Sequence, residues 1–381
     1  MDFDRLLDEF LDLVKISSVS RREGAIARRL EATMKSLGAQ VEIDDAGTKV
    51  DGETGNLLAK FTGTVPAARP LLLSAHMDTV VPGENVKPIV NGHVVRSDGT
   101  TVLGGDDKSG IALIIEVVRT LQEEQIPHGD LDVLFTICEE AGLIGAKQFD
   151  IGRLRARTGL VFDSDGVNEL VTRAPAADRL EFRVYGLEAH AGVCPENGIS
   201  AIKVAAEAIA AMRLGRIDHE TTANLGMITG GSAINIVPGC VVVHGEARSR
   251  SLTKLMTQTS HMRHCFEEAA QRYQVRVGDR VAQARVEVSA HRDYEAMDLP
   301  EDAPIVRLVS EAAAHLGRPF KTRPTGGGCD ANVLNGKGLQ VANLGTGMRE
   351  IHTLNEWLDL RDLSQTVELV VEVVRRNATA R

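Results

Sequence analysis

Residues 134–142 read Leu134-Phe135-Thr136-Ile137-Cys138-Glu139-Glu140-Ala141-Gly142, an apolar run that ends in two adjacent carboxylates. The apolar half suits a strand covered on both faces. Two acids at the inner end of such a strand need a cation, a proton or a chemical task, because an unpaired buried charge is costly. Glu123 and Glu124 also form a pair, but between Gln122 and Gln125 they have the texture of solvated helix surface. The same apolar-then-acidic pattern recurs in "RPLLLSAHMDTV" (69–80) and "TGLVFDSDG" (158–166), while "SGIALIIEVVRTLQEE" (109–124) between them has helical spacing. Strands alternating with helices predict an α/β layered domain.

Further helices are expected over residues 3–14 and 26–37. From about Asp178 the texture changes. "DRLEFRVYG" alternates apolar and polar residues, as a strand with one wet face does. After it come a helix ("GISAIKVAAEAIAAMRLG"), two strands ("NLGMITG" and "GCVVVHGEARS"), a helix ("TKLMTQTSHMRHCFEEAAQRY") and a strand ("ARVEVSAHRDY"). The order β-α-β-β-α-β is the ferredoxin-like plan. The α/β texture returns near Pro304. The expected organisation is one discontinuous domain, 1–175 with 295–381, and an inserted α+β domain, 176–294.

The chain has 381 residues and a formal charge of −10, which argues against a nucleic-acid partner and gives no reason to expect binding to an anionic membrane. Its longest apolar runs are broken by charge well short of the roughly 20 residues of a membrane span. The opening "MDFDRLLDEFLDLVK" is acidic and amphipathic, unlike a secretory signal. Five cysteines, at 138, 194, 240, 265 and 329, form no C-x-x-C pair. That pattern suggests reduced thiols in a cytoplasm.

In open α/β sheets, sites form at the carboxyl ends of strands. Four such ends carry His76 and Asp78, Asp106 and Asp107, Glu139 and Glu140, and Asp163. One acid after a strand is ordinarily a turn or cap residue. Four ends with a histidine among them are not, since clustered carboxylates repel and protonate unless a positive charge lies between them. A divalent metal is the simplest answer, and two metals fit the ligand count better than one. Imidazole and carboxylate donors suit zinc, cobalt or manganese. His76 and Asp78 are two apart, so on an extended segment they share a side and the acid can orient the imidazole. Glu139 and Glu140, if extended, point to opposite sides, one toward a metal and one toward a substrate. Two other chemistries fail. In "GGDDKSG" Asp107 stands where a phosphate loop needs glycine before the lysine, and "GGSAI" has Ile234 where a serine-nucleophile elbow needs glycine.

The ordered set "HMDTV", "GGDDKSG", "CEEAG", "FDSDG", "AHAG", "GSAINIVPG", "GEARS", "GGGCDA" and "IHTLNEW" strongly resembles the M20 metallopeptidases, and most closely their peptidase T-like (tripeptidase) branch. The resemblance runs from about residue 6 to 375 and departs at Cys329, where that branch usually has threonine. It implies a mixed-sheet, zinc-exopeptidase-like catalytic domain, with the ferredoxin-like insertion as its lid. Asp106 would bridge two metals. His76 and Asp163 would complete the ligands of one, Glu140 and His352 those of the other. Glu139 would be the general base and Asp78 the orienter of His76. A cis peptide is implied after Asp106. His190, Asn235, Arg248 and Gly327 would contact substrate, and the lid would join two copies into a homodimer. The activity implied is hydrolysis of small peptides from the amino end by metal-activated water. A carboxypeptidase or N-acyl-amino-acid amidohydrolase of the same family is the alternative. A non-catalytic peptide-binding relative should have lost a ligand or the base, and this sequence retains them all.

Overall fold

The computed structural model describes residues 1–379. The chain divides into two compact units. One comprises Met1–Arg173, Asp298–Thr325 and the residues from Cys329 onward; the other comprises Ala174–Met297 with Gly326–Gly328.

In the first unit, the uninterrupted apolar runs become central strands of a mixed sheet. Leu71–His76 and Leu131–Thr136 are buried along their whole length. The central strands lie in the order Gln40–Ile43, Leu57–Phe61, Leu131–Thr136, Leu71–His76, Thr158–Val161, Gln340–Leu344 and Glu169–Ala174. Leu71–His76 runs parallel to both of its neighbours, and Gln340–Leu344 runs parallel to Thr158–Val161. His76, Thr136, Val161 and Leu344 therefore end at one edge. The two outer strands before Leu131–Thr136 are antiparallel. Helices Phe3–Val14, Gly24–Ser36, Gly105–Glu123, Pro304–His315 and Leu360–Thr379 cover the sheet. The first is capped by Asp2, whose carboxylate accepts from the Arg5 N–H, and it buries Leu6, Phe10, Leu13 and Val14.

A small sheet gives the last site residue its place. Pro88–Asn91, Val94–Ser97, Trp357–Asp359 and Met348–Arg349 pair in antiparallel fashion, so residues 350–356 form a loop between two paired strands, and that loop carries His352. This sheet had no clear sequence signal, because its strands are short and Pro88–Asn91 is largely exposed.

The second unit has strands Ala176–Tyr185, Thr221–Gly230, Cys240–Ser249 and Arg285–Tyr294, with helices Ala201–Ala211 and Leu252–Gln271. All four strands are antiparallel to their neighbours, with Ala176–Tyr185 between Cys240–Ser249 and Arg285–Tyr294. One sheet face buries Leu180, Phe182, Val184, Val241 and Val243 against the helices, and Phe182 stacks on Phe266 at 4.2 Å. A hairpin, Gln274–Val277 with Arg280–Gln283, precedes the last strand. Its residues are mostly exposed, so no hydrophobic pattern marks it. Gly328 belongs here because a Cβ at that position would fall 2.3 Å from the Tyr294 ring.

Leu131–Thr136 begins at a buried charge. Asp132 accepts from Arg155 Nε at 2.8 Å and from the N–H groups of Arg155 and Ala156, while Arg155 also donates to the carbonyls of Phe61 and Leu131. Arg155→Ala would leave this acid without its cation. The expected loss is about 3 kcal/mol or more, measured by urea unfolding.

Candidate metal centre

Leu131–Thr136 ends three residues before Glu139, and Cys138 takes a left-handed backbone with φ 51°. Glu139 and Glu140 therefore sit in a turn. The alternating-side expectation for an extended segment does not describe them. Asp78 holds the turn: its carboxylate accepts the N–H of Glu139 at 2.9 Å, the N–H of Glu140 at 3.2 Å and the Ser20 hydroxyl at 2.6 Å. It also lies 3.5 Å from His76 Nδ1.

The closer partner of His76 Nδ1 is the Asp78 carbonyl, at 2.9 Å. A carbonyl oxygen only accepts, so Nδ1 carries a proton and the other nitrogen, Nε2, is turned toward Asp106 Oδ1 at 3.0 Å. A bare lone pair facing a carboxylate oxygen is repulsive, so this gap calls for a proton or a cation. The other oxygen of Asp106, Oδ2, lies 3.1 Å from His352 Nε2, which is also 2.8 Å from Glu140 Oε1. One carboxylate thus addresses two imidazoles, one with each oxygen. Asp163 completes the cluster: donor atoms of His76, Glu139 and Asp163 lie within 4.8 Å of one another, as do those of His76, Asp106 and Glu140. His352, like Cys138, has a left-handed backbone, φ 61°.

The electrostatics are those of crowded acids. Burial, reinforced by Asp163, pushes the Glu139 carboxyl well above its usual range. Burial and Asp106 do the same to Asp163. Burial also works against ionisation of Asp106, but His352 and His76 outweigh it and hold that carboxyl well below the usual range. Contacts with Asp106 and Glu140 push His352 up to about 10. The donors are imidazole nitrogens and carboxylate oxygens, a set that fits zinc, cobalt or manganese.

Several buried polar residues outside the expected ligand set brace the loops of this cluster. Glu356, 2% exposed, accepts the N–H of Gly104 at 2.9 Å and of Asp106 at 3.0 Å, tying the His352 loop to the Asp106 loop. Asp107, joined to Asp106 by a cis peptide, accepts the N–H groups of His76 and Gly110. Asn343 accepts the Asp163 N–H and donates to Cys329 Sγ at 3.3 Å. Burial pushes Asp330 up to about 6, and its Oδ2 accepts from Thr136. Asp330 stands in "GGGCDA", where an acid among small residues was the available signal; Glu356, between Asn355 and Trp357 in "IHTLNEW", had none.

The remaining expected residues lie in the second unit. His190 bridges to Ile236, and the Ala191 N–H donates to the Asn235 carbonyl at 2.9 Å, so the segments of His190 and Asn235 adjoin. Arg248 is half-buried and pairs with Glu246 on its own strand. A Cβ on Gly327 would meet no heavy atom within 4 Å.

A model of peptidase family M20/M25/M40 matches residues 72–376. The chain is a member of this peptidase family. This M20 peptidase is 41% identical over 375 residues to the uncharacterized protein YqjE of Bacillus subtilis, and the match covers 98% of each chain. Among solved structures, the aminopeptidase PepT of Bacillus cereus is 38% identical with a TM-score of 0.87, and a tripeptidase of Staphylococcus aureus is 36% identical with a TM-score of 0.92. Both comparisons cover all of each chain. The M20 peptidase belongs to the peptidase T-like branch and is a peptide-bond hydrolase. No helix among its described residues is long and apolar enough to cross a membrane.

A cluster that needs positive charge is stabilised by whatever supplies it. Zinc at roughly 100 times its dissociation constant is expected to add about 2.7 kcal/mol to folding stability, read as a higher melting temperature that a chelator reverses. Asp106→Ala is expected to abolish the zinc-dependent shift.

Proposed function

We propose that the chain is a dinuclear metal-dependent exopeptidase that removes residues from the amino end of small peptides, tripeptides above all, in the cytoplasm. The observation that carries this reading is Asp106, which turns one oxygen toward each of two imidazoles beside the buried Glu139. The similarity over full length to an aminopeptidase and a tripeptidase supports the substrate class.

His76, Asp106 and Asp163 would hold one cation, and Asp106, Glu140 and His352 the other. Zinc, or else cobalt or manganese, would supply Lewis acidity at the scissile carbonyl and ease the ionisation of water. Glu139 is the general base: its carboxylate takes a proton from water and delivers it to the leaving amine. Asp78 fixes that base through the Glu139 amide and, through its own carbonyl, keeps the proton of His76 on Nδ1. Arg248 forks onto the peptide carboxylate, as guanidinium geometry favours. His190 serves a substrate carbonyl, and Asn235 and the backbone at Gly327 hold the chain of the peptide.

The second unit also has an open sheet edge. Among the described residues, Thr221–Gly230 is paired along its length only with Cys240–Ser249, while Gly215–Arg216 covers Ala223 and Thr222 on the other side. Met227 and Ile228 on this strand are 62% and 56% exposed. Such an edge pairs readily with another copy, which supports a homodimer through this unit. Sedimentation at micromolar concentration should show a dimer, and Ile228→Lys should shift it toward monomer.

Glu139→Ala is expected to retain its metal while kcat falls at least about 1,000-fold, in line with loss of general-base catalysis together with its positioning. The assay is a panel of di- and tripeptides, free and N-acylated, on metal-reconstituted enzyme. Turnover of free tripeptides supports the reading; exclusive cleavage of N-acylated substrates overturns it.

A further inference from the structure

Four successive backbone N–H groups, from Ile137 to Glu140, leave the sheet ladder and are taken up by side chains. Ile137 N donates to Asn56 Oδ1 at 3.1 Å, Cys138 N to Glu23 Oε1 at 3.0 Å, and Glu139 and Glu140 to the two oxygens of Asp78. Carbonyls of the same stretch close the turn, with Gly145 N donating to Ile137 O and Ile144 N to Cys138 O. Three of these four N–H groups are accounted for by Asp78 and by Asn56, which is itself anchored to Asp44 and Gly145. The fourth depends on Glu23.

Glu23 is fully buried. Its Oε1 accepts both the N–H and, at 3.3 Å, the thiol of Cys138. Its Oε2 has no hydrogen-bond partner among the described residues. The N–H groups of Arg21 and Glu23 also face this carboxylate, but the donors it holds at hydrogen-bond distance are both on Cys138. What it secures is local. Cys138 has φ 51°, a conformation that glycine takes freely and a residue with a Cβ takes rarely. The left-handed residue turns the chain out of the sheet immediately before Glu139.

We propose that Glu23 is a positioning residue for the base Glu139: by gripping both donors of Cys138 it holds that residue left-handed, and so aims the Glu139 and Glu140 amides at Asp78. This rests on the reading of Glu139 as the base. Glu23 acts through an accepted hydrogen bond, and its effect on turnover is exerted through the backbone of Cys138.

The test uses the metal-reconstituted enzyme with a tripeptide substrate, reading kcat, KM and bound metal separately. Glu23→Ala removes the acceptor and is expected to lower kcat roughly 10- to 100-fold, the scale of a small misplacement of a catalytic group, with KM and metal content little changed. Glu23→Gln keeps an acceptor and recovers most of that loss. Cys138→Gly makes the left-handed turn free of strain, so the Glu23→Ala penalty shrinks to about threefold or less in that background, a coupling expected only of interacting residues. If Glu23→Ala leaves no folded protein, Glu23→Met, similar in volume and without an acceptor, replaces it. An equal kcat loss in both backgrounds, a Glu23→Gln variant as impaired as Glu23→Ala, or native kcat in Glu23→Ala overturns the proposal. An active Glu139→Ala variant would instead remove the base assignment on which it rests.

Discussion

The Asp106 carboxylate between His76 and His352 is the constraint around which the first unit is organised. Acids in a shared buried volume raise one another's pKa, and each gains if a positive charge enters. Here the crowding is severe: Glu139, Glu140 and Asp163 are all pushed up, first by burial, while only Asp106 is pulled down by its imidazoles. A set of this kind would be a defect in a structure without cations. It is an asset in one that binds them, because the repulsion is relieved on binding and adds to affinity.

The sheet brings the strand ends together, but side chains accepting backbone N–H groups set the fine positions. Asp78 holds the Glu139–Glu140 turn, Asp107 holds His76, Glu356 holds Asp106, and Asn343 holds Asp163. Most of these acceptors are carboxylates, so they lock loops and deepen the negative field at once. A buried acceptor also penalises displacement, since a loop that moved would strand its N–H groups away from water. This gives the cluster the preorganisation that the proposed hydrolysis would require.

Much of this was legible in the amino-acid order. Short apolar runs closing in His76, Glu139 or Asp163 carry their own contradiction, and strand ends of parallel neighbours must converge. The β-α-β-β-α-β order of the second unit was visible because Leu180, Phe182 and Val184 alternate with polar residues along one strand. The turn at Cys138 was not, because a left-handed non-glycine residue is imposed by tertiary hydrogen bonds and has no local signature. Glu23 and Asn56 were equally silent: in sequence they are a polar residue before a helix and one before a strand. The hairpin at 274–283 and the small sheet carrying the His352 loop bury too little apolar surface to imprint a period.

The proposed chemistry requires two cations in the space around Asp106. Crystals of zinc-reconstituted protein, measured on both sides of the zinc absorption edge, should show two anomalous peaks, each beside one oxygen of Asp106, one near His76 and one near His352. A single peak, or none at full zinc loading, would contradict it.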